Sequence, residues 1–195
     1  IGTQMISNGH DFRNLTLVGV LNPDTALFSH DYRSSERLFA LLMQVAGRAG
    51  RSSLRAGANP SEVLVQTRYP MHPLYQATLS HRYEKYASEL LAERKNAGLP
   101  PFGYQVLLTA ESRKIETALA FLRDAAADIP CKDGIMINEP IPMAMMRIAN
   151  MERAQLLIES GSRVCLQHML REWLPQLRSR KTGVRWQIEV DPFSI

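Results

Sequence analysis

An apolar stripe that runs straight into a pair of arginines constrains this chain more than any other feature. Apolar residues recur at i, i+3, i+4 and i+7, the spacing of one buried helix face, and they are Leu38, Leu41, Leu42 and Val45. Directly after this helical segment, small residues flank Arg48 and Arg51, so the backbone stays thin enough for a polyphosphate to approach. A guanidinium remains charged and holds phosphate oxygens through paired hydrogen bonds. The segment Gln44–Arg51 therefore predicts a phosphate contact, with a solvated basic helix end as the alternative.

Composition favours a folded chain with an anionic partner. The chain has 195 residues, 45% of them hydrophobic, which suffices for one or two cores. Its net charge of +4 and pI near 9.3 favour binding to anions. No apolar run reaches membrane-spanning length, and Cys131 and Cys165 have no neighbouring ligands, so we expect no membrane contact and no metal site. Lone cysteines favour a cytoplasmic protein, and a start at Ile1 inside a motif is expected of a fragment.

The chain is predicted to divide into three segments: 1–73, 74–99 and 100–195. In the first segment, apolar strands are expected at Leu15–Leu21 and Glu62–Thr67. The helix that carries the apolar stripe starts between them near Ser34, with Asp31 or Ser34 as its cap. Strand, helix and strand in this order predict α/β structure.

The second segment is predicted to be a connecting helix that runs from Leu74 to Asn96. Its apolar stripe consists of Leu79, Tyr83, Tyr86 and Leu90. Gly98 can end the helix, and Pro100-Pro101 forbids its continuation.

The third segment is predicted to follow the order strand, helix, strand, strand, helix, strand. Strands are expected at Tyr104–Ala110, Ile135–Asn138, Ala154–Glu159 and Val184–Val190, with a proline-rich crossing at Pro140–Pro142. The first helix presents Ile115, Leu119, Leu122 and Ala126 on one face, and the second runs from Arg163 to Leu177. This order predicts a ferredoxin-like α+β sandwich, so the chain as a whole is α/β plus α+β.

Short motifs along nearly the whole chain add a family resemblance. They are Gly2-Thr3-Gln4-Met5, Gly9-His10-Asp11-Phe12, Asp31–Arg37, the arginine pair, Ala92-Glu93-Arg94, Pro100-Pro101-Phe102 and Val190-Asp191-Pro192. The ordered series resembles the PriA family of primosomal replication-restart helicases, which belongs to helicase superfamily 2. Asn8, Arg13 and Asn22 depart from the lysine, proline and aspartate usual in that family. The resemblance implies that residues 1–73 are the C-terminal portion of the second RecA-like helicase lobe, with motifs V and VI.

The resemblance also implies catalytic roles for the segment Gln44–Arg51. Arg51 and Arg48 would reach across the cleft between two lobes to the γ-phosphate of ATP as arginine fingers. Gln44 would lie near the catalytic water. ATP and Mg²⁺ would need the other lobe, which carries the phosphate-cradling Walker loop, so this chain alone is expected to be inactive.

Further binding residues follow from the same resemblance. Gly9, Asp11 and Gly47 would bind ATP, Asp11 through the ribose and Gly9 through backbone amides near a phosphate. Thr3 and Gln4 would contact the DNA backbone. The alternatives are an ordinary turn aspartate at position 11 and a strand-end hydroxyl at position 3.

Basic residues gather late in the chain, and they are Arg163, Arg171, Arg178, Arg180, Lys181 and Arg185, interleaved with Trp173 and Trp186. One interpretation is a surface for the DNA backbone, and the other is a solvated helix face with both tryptophans in the core. Arg163 stands at a helix start, where a cation opposes the helix dipole. The resemblance implies a partner for Arg163, the acidic tail of single-stranded DNA-binding protein.

The leading hypothesis is therefore a fragment of an ATP-dependent 3′-to-5′ DNA helicase. By resemblance, the longer protein recognises stalled or abandoned replication forks and initiates primosome assembly for replication restart. Its expected partners are forked and single-stranded DNA, single-stranded DNA-binding protein and other primosome proteins, and it is expected to act as a monomer. Zinc is expected only in the parent protein, outside this chain. The alternative hypothesis is a non-catalytic module that binds DNA or a protein tail and is attached to a degenerate helicase lobe.

Overall fold

The computed structural model of the chain describes residues 17–29, 31–53, 62–130, 133–148, 150–193 and 195, with the backbone alone for 48–53 and 144–148. The chain divides into two compact units, Ile1–Leu91 and Ala92–Ile195, which we call unit 1 and unit 2. Within the described ranges, every helix is too short or too polar to cross a lipid bilayer.

Unit 1 contains two parallel strands joined through helices. Strands β1 (Leu17–Leu21) and β2 (Glu62–Gln66) pair so that Gly19 lies opposite Leu64. Between them the chain forms the short helix α1 (Asp24–Leu27) and the long helix α2 (Ser34–Ser53). Parallel neighbours need such a crossover because a tight turn cannot join strands that point the same way.

Helix α2 is held by an apolar face whose buried side chains are Leu38, Phe39, Leu42 and Val45. It begins at Ser34, as the periodicity predicted, but it continues to Ser53. The arginine pair therefore lies inside the helix, and the expectation that it follows the helix is wrong. Alanine is a strong helix former, and the alanines beside the two glycines explain why the helix does not stop there.

Two helices replace the single connecting helix that was predicted from Leu74 to Asn96. Helix α3 (Pro73–Ser80) starts at the cap His72, whose Nδ1 accepts the N–H of Leu74 at 3.2 Å. It ends at His81, which adopts a left-handed conformation with φ of 53°. Helix α4 (Tyr83–Asn96) follows.

The break at His81 changes the helical phase, so the predicted apolar stripe is partly wrong. Leu79 and Tyr83 are 76% and 53% exposed, whereas Tyr86 is buried in the apolar cluster of unit 1 and the partly buried Leu90 packs against that cluster. The side chains that α3 buries are Leu74, Tyr75 and Ala77.

Unit 2 contains a sheet whose described strand pairs are all antiparallel; its strands follow the order β4-β6-β3-β7, with β5 beside β6. In chain order its elements are β3 (Tyr104–Ser112), α5 (Ile115–Ala127), β4 (Ile135–Ile137), β5 (Ile141–Ile148), β6 (Met151–Ser160), α6 (Arg163–Ser179) and β7 (Arg185–Val190). The central strand β3 pairs antiparallel with both β6 and β7.

Strand β5 is the main departure from the order predicted for unit 2. A proline-rich crossing was expected at Pro140–Pro142, but Ile141–Ile148 forms a strand that pairs with β6. Among the described residues β5 pairs with β6 alone, so it lies at an edge, where a proline such as Pro142 is tolerated because no second neighbour needs its missing N–H.

The core of unit 2 lies between the sheet and helices α5 and α6. The largest side chain in it is Trp173, which is 0% exposed and donates its indole N–H to the carbonyl of Ala125 at 2.9 Å. Alternate residues Val106, Leu108 and Ala110 of β3 face the same core. On α5 the predicted face is rotated slightly, because Ala118, Phe121, Leu122 and Ala125 are the buried residues.

Candidate functional site

The candidate site in unit 1 is one face of helix α2. With 3.6 residues per turn, positions 44, 47, 48 and 51 are spaced i, i+3, i+4 and i+7 and share one face. Gln44 and Gly47 are exposed, while the neighbouring Leu42 and Val45 are buried. A methyl group added at Gly47 would meet no atom within 4 Å. The face that carries these positions therefore points away from the apolar core of α2.

For the two arginines the structure gives the backbone position only. Positions 48 and 51 lie in helical backbone within α2, on the same face as Gln44 and Gly47. The roles of Arg48, Arg51, Gln44 and Gly47 remain predictions. The other predicted site residues of the first segment, Thr3, Gln4, Gly9 and Asp11, lie outside the described residues.

The start of α2 is fixed by local contacts of Asp31. Its Oδ1 accepts the backbone N–H of Arg33 at 2.9 Å, and its carbonyl accepts the hydroxyl of Ser34 at 2.6 Å. Its carboxylate also pairs with Arg37, although the Asp31 side chain is largely buried. These contacts set the position at which the helix begins and, through its regular turns, the direction in which its exposed face points.

A second polar network lies where β1 and β2 end, and the sequence analysis did not identify it. Asp24 Oδ1 accepts hydrogen bonds from the Thr67 hydroxyl at 2.6 Å and the Tyr75 hydroxyl at 2.9 Å, and Oδ2 accepts the N–H of Arg68 at 2.9 Å. The signal was present in the sequence, because polar residues that directly follow two parallel strands meet at the same sheet edge.

The pKa values of two groups in this network, Asp24 and Tyr75, are shifted in opposite directions. The backbone hydrogen bond from Arg68 and then the hydroxyl of Thr67 lower the pKa of the Asp24 carboxyl. Burial raises the pKa of the Tyr75 hydroxyl, and the neighbouring Asp24 carboxylate acts in the same direction. Asp24 is therefore ionised and Tyr75 is a neutral donor at neutral pH.

Arg163 is exposed at the first position of helix α6 in unit 2. Ser162 caps the helix by accepting the N–H of Cys165 at 3.4 Å. The preceding residues Ser160 and Gly161 line an open cavity of about 580 Å³, to which Phe102 and Met136 also contribute. The structure thus leaves Arg163 accessible, and its predicted contact with an acidic peptide remains a prediction.

The late basic cluster does not act as one surface with its tryptophans. Trp173 is in the core, and Trp186 packs against that core. Arg180 donates to the carbonyl of Asp124 at 3.0 Å and pairs with the carboxylate of Asp128. Arg171 and Arg178 are exposed on α6. For the tryptophans the structure favours the core interpretation over a DNA surface.

Metal ligands do not cluster in the part of the chain that the structure describes, where no three His, Cys, Asp or Glu side chains lie close enough to hold an ion. Cys165 is an exposed free thiol, and Cys131 lies outside the described residues.

Comparison with known proteins gives a consistent family. A model described as the primosomal protein N C-terminal domain matches residues 95–193. A protein of Haemophilus influenzae named replication restart protein PriA is 41% identical over 98% of this chain and 26% of its own length. Proteins of the same name from a Synechocystis species and Bacillus subtilis are 35% and 34% identical, and the chain spans 23% and 24% of them. The chain thus spans about a quarter of the length of these relatives.

Proposed function

Because the chain belongs to the PriA family, as its C-terminal region, we propose that it is part of a protein that restarts DNA replication. The longer protein would be an ATP-dependent 3′-to-5′ DNA helicase that recognises abandoned forks and initiates primosome assembly. Unit 1 would belong to the second RecA-like lobe, and unit 2 would be a ferredoxin-like domain. DNA and primosome proteins are the proposed partners, and ATP with Mg²⁺ would bind only when the other lobe is present.

One observation carries the proposal for unit 1. The exposed Gln44 and Gly47 share a helix face with positions 48 and 51, while the opposite face of α2 is buried. A face held rigidly by its own core can present two guanidinium groups to a phosphate that is bound elsewhere. Phosphoryl transfer depends on such positioning and on charge neutralisation, because the protein does little covalent chemistry.

ATP hydrolysis by the full-length protein tests this proposal. Arg51→Ala should lower DNA-stimulated turnover by about 10³-fold or more, as loss of an arginine finger does, while DNA binding persists. Arg113→Ala is the matched control, because Arg113 is exposed in unit 2 and has no proposed contact with the nucleotide. Undiminished hydrolysis by the Arg51→Ala protein would rule out the arginine-finger assignment.

A second candidate function is a binding module, and the accessibility of Arg163 favours it. Arg163 is followed by Val164, which is 79% exposed, so a cation and an apolar side chain stand side by side at the start of α6. An acidic peptide, such as the tail expected of single-stranded DNA-binding protein, would suit the cation, and an apolar residue in such a peptide would suit Val164. Titration with such a peptide and with forked DNA at two salt concentrations tests it, and no binding to either would exclude this function.

A further inference from the structure

Unit 1 exposes a cluster of aromatic side chains beside the network of Asp24. We call Phe28, Tyr69 and His72 the aromatic cluster. The rings of Phe28 and Tyr69 meet edge to face with centroids 4.8 Å apart, and the ring of His72 lies 6.4 Å from that of Phe28. Phe28 is nevertheless 57% exposed and Tyr69 is 49% exposed. The neighbouring Met71 is 79% exposed, so the cluster continues as an apolar surface.

Hydrogen bonds hold the segments that carry these rings. The Tyr69 N–H donates to the Thr67 hydroxyl at 3.0 Å, and that hydroxyl donates in turn to Asp24. The His72 N–H donates to the Tyr69 carbonyl at 2.9 Å. The His72 ring is also fixed, because its Nδ1 caps helix α3. The exposed rings are thus held in place before any partner binds, which reduces the entropy lost on binding.

A groove with two cations adjoins the aromatic cluster. Met71 lines an open groove of about 520 Å³ between helices α3 and α4, together with Arg82, Lys85 and Glu89. Lys85 Nζ lies 3.9 Å from a Glu89 carboxylate oxygen, so one cation of the groove is partly neutralised and Arg82 is the other. Arg68 adds a further exposed cation next to Tyr69.

We propose that the aromatic cluster and this groove bind single-stranded DNA, with bases stacked on Phe28 and Tyr69 and phosphates along Arg68, Arg82 and Lys85. Exposed aromatic rings next to a cationic groove are the combination that proteins use for single strands, because every base offers a stacking face and every nucleotide a phosphate. A duplex does not fit equally well, since its bases are already stacked on each other. The inference rests on the proposed function for the identity of the nucleic acid.

Fluorescence anisotropy with two labelled strands tests the proposal on the 195-residue chain. One strand is oligo-dT of about 15 nucleotides, and the other has the same length but abasic sites in place of the bases. Stacking predicts that the chain binds oligo-dT about 5- to 150-fold more tightly than the abasic strand. Phe28→Ala or Tyr69→Ala alone should lower this ratio, the double substitution should bring it close to one, and Phe28→Trp should preserve it.

Leu79→Ala is the matched control, because Leu79 is equally apolar and exposed on α3 but lies outside the aromatic cluster and the groove. It should leave the preference for bases unchanged. Arg82→Ala should weaken binding of both strands alike and reduce its salt dependence.

Three results would overturn the proposal. The first is absence of binding to both strands. The second is salt-dependent binding without preference for bases, in which case DNA binding by the chain stands and only the stacking site is lost. The third is an unchanged preference for bases in the chain that carries both Phe28→Ala and Tyr69→Ala, which would show that the bases stack elsewhere. None of these results depends on ATP hydrolysis, so failure here and failure of the proposed function are distinguishable.

Discussion

The described residues of the two units differ in how their strands are covered. Unit 2 has a continuous core of sheet and helix residues around Trp173, with Val106, Leu108 and Leu122 fully buried. In the described part of unit 1, the buried cluster lies around Leu42 and Leu74. The parallel strands of unit 1 leave Leu17, Leu21 and Leu64 exposed, whereas parallel sheets are normally covered on both faces.

This difference separates stability from binding. In unit 2 the two helices pack their apolar faces onto the sheet, and Val164 beside Arg163 stays exposed. In unit 1 the side chains proposed to contact a partner are Gln44, Phe28 and Tyr69. They are exposed on elements that pack against the buried cluster of Leu42 and Leu74 or lie beside it. Substitutions in the two units should therefore differ in what they affect.

The largest loss of stability is expected for Trp173→Ala in unit 2. The substitution leaves a cavity and removes the donor of the Ala125 carbonyl, so the free energy of unfolding should fall by about 3–5 kcal/mol. Urea unfolding followed by the fluorescence of Trp186, which also lies in unit 2, measures it. Val164→Ala is the control on the same helix, because Val164 is exposed. A loss below about 1 kcal/mol would mean that Trp173 is not central to this core.

In unit 1 the corresponding substitution is Leu42→Ala. Leu42 is 1% exposed on α2, and truncating leucine removes fewer buried atoms than truncating tryptophan, so we expect a loss of about 2–3 kcal/mol. Hydrogen exchange of peptides from α2 measures the loss locally, and exchange in α6 should not change. Leu17→Ala, at an exposed position of β1, is the control. Equal loss of protection in α2 and α6 would contradict the description of two units with separate cores.

A smaller, pH-dependent effect is expected at Asp24. Its pKa in the folded chain is below the unfolded value of about 3.9, so its contribution is present above that value and is lost as pH falls through the folded-state pKa. Asp24→Asn should therefore destabilise unit 1 at neutral pH, and the difference from wild type should shrink as the pH falls below about 4. Hydrogen exchange of α3 at several pH values follows it. Asp133→Asn, at an exposed position in unit 2, is the control, and a difference that does not vary with pH would contradict the network.

Periodicity predicted most elements of the fold because each helix or strand packs one face. The predicted starts agree with the structure for α2 at Ser34, β3 at Tyr104 and α6 at Arg163. Periodicity failed to predict element boundaries that depend on the conformation of a single residue. The left-handed His81 divides one predicted helix into two, and an edge position allows Pro142 to enter a strand.

The candidate site was predictable only in part, for a similar reason. Spacing alone places Gln44, Gly47 and the arginines on one helix face. The hydrogen bonds of Asp24 reach Thr67 and Tyr75, at sequence separations of 43 and 51. The aromatic cluster likewise brings Phe28 to Tyr69. Polar residues after two parallel strands indicate this sheet edge, but which side chains meet there depends on how the strands pair and on which side chains the turns present.

The most direct test of the account is a substitution on the exposed face of α2 in the full-length protein. Gln44 is exposed and proposed to lie near the catalytic water, so Gln44→Ala should lower the kcat of ATP hydrolysis by about 10²-fold while the midpoint of thermal unfolding stays that of wild type. If the Gln44→Ala protein hydrolysed ATP at the wild-type rate, or lost activity only because it unfolded, the exposed face of α2 would not be part of a nucleotide site.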